Sequence, residues 1–98
     1  MRTPNPLHPS LSGAARMLRR AYPGGIPEAA YMPLLALLYA HFSDRNLADL
    51  IANVTGKDAA RVLNELYVAA STPPPAAAIA AQKAVLEPHG WTAICTAD

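Results

Sequence analysis

The fold is decided by the stretch Tyr31-Met32-Pro33-Leu34-Leu35-Ala36-Leu37-Leu38-Tyr39-Ala40-His41-Phe42, which carries no Asp, Glu, Lys or Arg in a chain of 98 residues. A helix that is apolar on every side is normally the central element of a packed domain, and this one has about half the length needed to cross a bilayer. We predict a central helix from Pro33 to Phe42 with Pro33 at its first position, where the missing N–H donor costs nothing. Residues 28–32 are predicted to form a short turn before it.

Composition restricts the chain to one small domain. With 52% hydrophobic and 15% charged residues, it can build a single core and has no run of apolar residues long enough for a membrane span. Cys95 is the only cysteine, so no intramolecular disulfide can form, and we predict a protein of the reducing cytoplasm.

The two ends of the chain are predicted to lie outside the packed domain. Prolines at positions 4, 6 and 9 deny hydrogen bonds to a helix, so residues 1–10 are predicted to be a disordered arm rather than a signal peptide or an anchor. The polar end of the chain, residues 93–98, is predicted to be a frayed tail. This leaves residues 11–92 as a single helical domain.

Helical periodicity continues on both sides of the central segment. A first helix is predicted to begin near Ser10 or Ser12 and to end at a tight corner, residues 22–27, which is rich in proline and glycine. Its apolar residues recur at spacings of three and four. They are Leu11, Ala14, Ala15, Leu18, Ala21 and Tyr22.

The sequence after the central segment predicts a helical hairpin. Ser43 is a suitable N-cap for its first helix, Gly56 a suitable C-terminal glycine, and Asp58 a suitable N-cap for its second helix. Each helix has an apolar stripe that should face the core. The stripes consist of Leu47, Leu50, Ile51 and Val54, and of Ala59, Val62, Leu63, Leu66 and Ala70.

A last helix is predicted in the alanine-rich segment 76–86, which ends at Pro88-His89-Gly90. Trp91, directly after it, is predicted to close the core. The chain has no internal repeat and no strand-like alternation. The predicted fold is therefore all-α: a compact bundle of about five short helices behind a disordered N-terminal arm.

Several motifs together resemble a known family. They are the corner Tyr22-Pro23-Gly24-Gly25-Ile26-Pro27, the segment Tyr31-Met32-Pro33-Leu34-Leu35, a helix started by Ser43-Asp44, a proline-punctuated connection and the closing His89-Gly90-Trp91. This pattern is similar to domain-of-unknown-function family 3349, small helical proteins of mycobacteria and related actinobacteria. The resemblance implies a compact bundle of about five helices, and it brings no catalytic residue. Alanines at 30, 76, 77 and 78 replace acids that are usual in the family.

No active site or metal site is evident in the sequence. His8, His41 and His89 are far apart and form no metal-binding spacing, and we expect His41 to be a partly buried residue at a helix end. Cys95 has no neighbour that would lower the pKa of its thiol. Gly24-Gly25 lacks the lysine of a phosphate-binding loop. We therefore predict no catalysis, no cofactor and no metal.

Charge is distributed unevenly, and this suggests an interaction surface. Residues 1–25 hold four arginines and no acid, a net charge of +4, whereas the remainder holds four basic and seven acidic residues, a net charge of −3. The leading hypothesis is a protein–protein interaction module. We predict that its binding surface combines Arg16, Arg19 and Arg20 with Tyr22 and the rest of the corner 22–27.

The alternative hypothesis is weak nucleic-acid binding by the hairpin 48–66, together with the basic first helix. Ile51, Ala52 and Val62 fit a helix-turn-helix motif, and Lys57, Arg61 and Asn64 would be the contact residues. However, Thr55, Lys57 and Glu65 stand where that motif wants apolar residues, and the charges of the second helix cancel. Acidic side chains facing phosphate are repulsive, so this hypothesis ranks second.

Overall fold

The computed structural model describes residues 9–92, and this part of the chain contains five α-helices and no β-strand. The predicted all-α fold is confirmed. The helices are α1 (Pro9–Ala21), α2 (Glu28–Tyr39), α3 (Asp44–Thr55), α4 (Ala59–Ser71) and α5 (Ala76–Leu86), and a 3-10 turn, Glu87–His89, follows α5.

Helix α2 is the centre of the domain, as its apolar sequence predicts. It packs against α3, α4 and α5, and the side chains of Leu34, Leu35 and Leu38 are completely buried. In the helix, only Glu28 and Ala29, in the first turn, are exposed. Burying such large aliphatic side chains contributes about 1.5–3 kcal/mol each, so the coverage of α2 is a substantial source of stability.

The predicted bounds of the central helix are wrong at both ends. Helix α2 begins at Glu28 and ends at Tyr39, and Pro33 lies inside it rather than at its first position. A proline in a helix removes one backbone hydrogen bond, here the bond to the carbonyl of Ala29. Ala29 is exposed, so water can satisfy that carbonyl, while Pro33 itself is buried in the core. The helix therefore continues through the proline.

The hairpin of α3 and α4 is built by the predicted capping residues. The Ser43 hydroxyl accepts a hydrogen bond from the backbone N–H of Asn46 at 3.2 Å. Gly56 follows α3 with a φ of 79°, a left-handed conformation that glycine adopts without strain, and its N–H donates to the carbonyl of Ala52. Asp58 is the residue before α4, but its side chain makes no capping hydrogen bond.

The buried face of α4 differs slightly from the predicted stripe. Val62, Leu66 and Ala69 face the core, whereas Leu63 is only half-buried and Ala70 is exposed. The three residues are spaced four and then three positions apart, and α4 packs on both α2 and α3. Leu63 lines a cavity together with residues of α3.

Helix α1 packs on α3 and α5, and it begins at Pro9, earlier than predicted. Its buried side chains include the predicted Leu11, Ala14, Ala15 and Leu18, and also Met17, which was not predicted. The remaining residues of the predicted arm, 1–8, and the predicted tail 93–98 with Cys95 lie outside the described residues.

Trp91 closes the core as predicted, with 4% of its surface exposed. Its ring meets the edge of the His41 ring, with centroids 5.0 Å apart and planes at 87°. His41 is nevertheless exposed, so the expectation that it is partly buried was wrong.

Among residues 9–92, no helix is both long and apolar enough to cross a membrane.

Truncation of Leu50 tests the packing of α3 on the core. Leu50 is completely buried, so Leu50→Ala should lower the free energy of unfolding by about 2–5 kcal/mol. Val68, on α4, is 54% exposed, and Val68→Ala should change the free energy of unfolding by less than about 0.5 kcal/mol. Urea unfolding of both variants measures the difference. Equal stability of the two variants would contradict the described packing.

Candidate functional site

One surface cavity among the described residues is a groove with a volume of about 590 Å³. It lies where the corner before α2, the first turns of α2, the end of α3 and the beginning of α4 meet. We call it the corner groove. Its lining residues are Gly25, Ile26, Glu28, Tyr31, Met32, Val54, Thr55, Lys57, Arg61 and Glu65.

A cluster of four polar side chains forms one wall of the corner groove. The Tyr31 hydroxyl donates a hydrogen bond to the Glu65 carboxylate at 2.5 Å. The same carboxylate pairs with the Lys57 ammonium at 3.6 Å and with Arg61 Nε at 3.7 Å. The ammonium group of Lys57 also lies 3.8 Å from the centre of the Tyr31 ring, a cation–π contact. Glu65 is thus the acceptor on which the cluster is centred.

Local backbone structure places Lys57 in this cluster. Gly56 reverses the chain after α3 in its left-handed conformation. The Thr55 hydroxyl then accepts a hydrogen bond from the Lys57 N–H at 3.2 Å and donates one to the Ile51 carbonyl at 2.7 Å. The turn between α3 and α4 therefore directs the lysine side chain toward α2.

Tyr31 is almost fully buried, with 8% of its surface exposed. Burial raises the pKa of its hydroxyl well above the ordinary value, and the hydrogen bond to Glu65 and the negative charge of Glu65 raise it further. Tyr31 therefore stays protonated and acts as a hydrogen-bond donor. It is not available as a base or a nucleophile.

The predicted interaction residues of α1 have different environments. Arg16 and Arg20 are exposed and have no acidic partner among residues 9–92. The Arg19 guanidinium donates to the side-chain oxygen of Asn53 on α3 at 2.5 Å. Tyr22 is half-buried, and its hydroxyl donates to the Gln82 side chain on α5 at 2.6 Å. Tyr22 therefore joins α1 to α5, and this contact gives it a structural role.

The predicted corner contributes to the corner groove, and one of the predicted arginines, Arg19, is held next to it. Gly25 has a φ of 98° and donates its N–H to the Tyr22 carbonyl, which makes the corner a tight turn. Gly25 and Ile26 line the groove. Arg19, through Asn53, is held beside the last turn of α3, and the neighbouring residue Val54 also lines the groove. Arg16, Arg19 and Arg20 share one face of α1 by their spacing.

The residues of the nucleic-acid hypothesis do not form a free basic surface. Lys57 and Arg61 both pair with the carboxylate of Glu65, and Asn64 is exposed but uncharged. The hairpin carries acids among its basic residues, and nothing in its geometry favours contact with phosphates.

The second cavity lies between α3 and α4 and has a volume of about 340 Å³. Ala48, Ala59, Ala60 and Leu63 supply its apolar surface. Tyr67 lies at its edge and donates a hydrogen bond to Asp44 at 3.1 Å. This cavity contains none of the residues that the sequence singled out for binding.

The described lining of the corner groove combines aliphatic, aromatic, acidic and cationic side chains. None of its described lining residues is histidine, cysteine or serine, and the Thr55 hydroxyl is engaged with the backbone. Within residues 9–92, no three His, Cys, Asp or Glu side chains converge so that they could hold a metal ion. The groove offers apolar side chains next to cationic hydrogen-bond donors.

The fold and this groove define a small helical-bundle protein with a mixed apolar and polar surface site. The chain belongs to the family described as "Protein of unknown function (DUF3349)", whose model matches residues 10–94. The resemblance deduced from the sequence motifs is thereby confirmed. Comparison with curated proteins and with solved structures gave no match.

Sequence reasoning missed the centre of the site. Tyr31 and Glu65 come from different helices and are 34 positions apart, so no local pattern connects them. A partial signal was available. Arg61 and Glu65 are four residues apart with opposite charge, and Lys57 lies one turn earlier, which places all three on one side of the hairpin's second helix. What the sequence could not supply was the neighbouring tyrosine.

Removal of the Tyr31 hydroxyl tests the cluster. Tyr31→Phe should lower the free energy of unfolding at neutral pH by about 1–3 kcal/mol, because Glu65 loses a hydrogen bond. The pKa of the Tyr31 hydroxyl is higher in the folded chain than its ordinary value of 10.0. The hydroxyl therefore contributes its full share of the free energy of unfolding below pH 10, and this contribution is lost as the pH rises above 10. Stability of the wild-type protein should therefore fall more steeply above pH 10 than that of the variant.

Tyr39→Phe is the matched control for this measurement. Tyr39 lies on the same helix as Tyr31 and is half-buried, but its hydroxyl makes no hydrogen bond to another described residue. Urea unfolding from neutral to alkaline pH should separate the two variants. If Tyr31→Phe behaves like Tyr39→Phe at every pH, the hydrogen bond to Glu65 contributes nothing and the described cluster is wrong.

Proposed function

We propose that this protein is a non-catalytic protein–protein interaction module that binds its partner in the corner groove and on the adjacent arginine-bearing face of α1. The main observation in support of this proposal is that the corner 22–27 and Arg19, both predicted from the sequence to bind a partner, lie on one surface. The corner 22–27 supplies Gly25 and Ile26 to the groove, and Arg19 lies beside the helix turn that supplies Val54. As only Cys95 could form a disulfide, and only with another molecule, we place the module in the cytoplasm.

The composition of the groove supports a protein as the partner. Ile26, Met32 and Val54 are half-buried, so each keeps apolar surface that a partner could cover. Lys57 and Arg61 at the rim supply charged donors. An apolar floor with a polar rim is the usual composition of a protein-binding surface.

Nucleic-acid binding is the weaker candidate because acids lie among the basic residues of the hairpin. Lys57 and Arg61 share Glu65, and Asp58 stands beside Lys57 in the sequence. A phosphate backbone placed along α4 would meet these acids.

Site-specific photocrosslinking tests the proposed function. A photoreactive amino acid at Met32, in the corner groove, should crosslink the protein to one or a few defined proteins in cells of its source. The same group at Tyr67 is the matched control, because Tyr67 is 46% exposed and lines the second cavity instead. Crosslinked species are identified by mass spectrometry after denaturing purification.

The expected result is a specific crosslinked protein from position 32 and none from position 67. Crosslinks from position 67 alone would show that the partner binds near the second cavity, and our assignment of the corner groove would be wrong. Nucleic acid as the crosslinked species, or no crosslinked protein from either position, would overturn the interaction module itself.

A further inference from the structure

We infer that the corner groove binds an acidic peptide segment that inserts one apolar side chain. This inference rests on the proposed function and names the chemistry of the partner. Two properties of the surface carry it: exposed arginines in and beside the groove, and an apolar depression within it.

The positive charge comes from α1 and from Arg61 on α4. On α1, Arg16 and Arg20 have no acidic partner among residues 9–92, and Arg19 is held by the neutral side chain of Asn53. Residues 9–21 contain no acid at all. This face therefore attracts negative charge.

Within the groove, Arg61 is the accessible cation. Its side chain is 70% exposed, and its contact with Glu65 is 3.7 Å long. An exposed ion pair of this kind is weak and exchanges readily with solvent or with another carboxylate. Arg61 can therefore pair with an incoming carboxylate while Lys57 and Tyr31 keep Glu65 satisfied.

Two acids of the groove, Glu65 and Glu28, oppose the binding of an acidic segment, but they do not cancel the attraction of the arginines. Glu65 is engaged by Tyr31, Lys57 and Arg61, so its charge is compensated locally. Glu28 is in the first turn of α2, where the positive end of the helix dipole partly offsets its charge. The three arginines of α1 remain uncompensated.

The apolar depression within the groove requires the ligand to carry an apolar side chain as well as acidic ones. Ile26, Met32 and Val54 come from the corner, from α2 and from α3, and all three line the groove with part of their surface open. Methionine adapts its shape to different apolar partners. One aliphatic side chain of a bound segment can cover these three residues, while acidic neighbours on the segment reach the arginines.

Titration of the full chain with short synthetic peptides, followed by backbone amide chemical shifts, tests this inference. The probe is a capped peptide of glutamates around one leucine. One comparison peptide has lysines in place of the glutamates, and another has serine in place of the leucine. The glutamate–leucine peptide should shift amides of residues 25–32 and 54–61, and its affinity should fall as the salt concentration rises.

Substitutions then assign the binding to particular residues. Arg61→Gln should weaken binding of the glutamate–leucine peptide about two- to fivefold, the range expected for one exposed charge pair. Arg45→Gln is the matched control, because Arg45 is exposed on α3 and lines the second cavity. Arg45→Gln should leave the affinity unchanged.

Three results would overturn the inference. They are equal binding of the lysine peptide, equal effects of the Arg61 and Arg45 substitutions, and absence of binding by the glutamate–leucine peptide. Tighter, salt-sensitive binding of a short duplex DNA to the same amides would assign the surface to nucleic acid instead. If crosslinking at position 32 captures a protein and the acidic peptide still does not bind, only this inference falls and the interaction module stands.

Discussion

The whole structure depends on the need to keep helix α2 out of water on every side. Leu34, Leu35 and Leu38 are completely buried, and together they point in more than one direction around the helix. One neighbouring helix cannot cover them all. Helices α3, α4 and α5 therefore surround α2, while α1 covers α3 and α5 from outside. Leu86, the last residue of α5, and Trp91 are also buried in the core.

The corner groove is a consequence of this arrangement. Burying α2 also buries Tyr31, whose hydroxyl must then find a partner, because an unsatisfied buried polar group is costly. Glu65 provides the partner, and Lys57 and Arg61 compensate the charge of Glu65. No buried polar side-chain atom in the described residues lacks a hydrogen-bond partner. The polar wall of the groove thus arises from the requirements of the core.

Sequence periodicity predicted the fold because each helix has its own local signal. Ser43 and Gly56 mark the ends of α3, and the apolar residues of α1 and α3 recur at helical spacing. The bounds of α2 were mispredicted because propensity alone favours a proline at a helix start. The benefit of burying residues before Pro33 is tertiary and cannot be read from local sequence. The groove was only partly predictable: its corner was recognised, whereas the contact of Tyr31 with Glu65 depends on how α2 and α4 pack.

Native-state hydrogen exchange measures the central role of α2 most directly. If α2 is enclosed as described, the amides of Leu35, Leu37 and Leu38 should exchange only through global unfolding, with the full free energy of unfolding. Amides of α5, such as those of Ala81 and Lys83, should exchange through smaller openings, because Leu86 is the only completely buried side chain of that helix. Exchange of the α2 amides at a free energy well below that of global unfolding would contradict the account, since the central helix could then open without the rest.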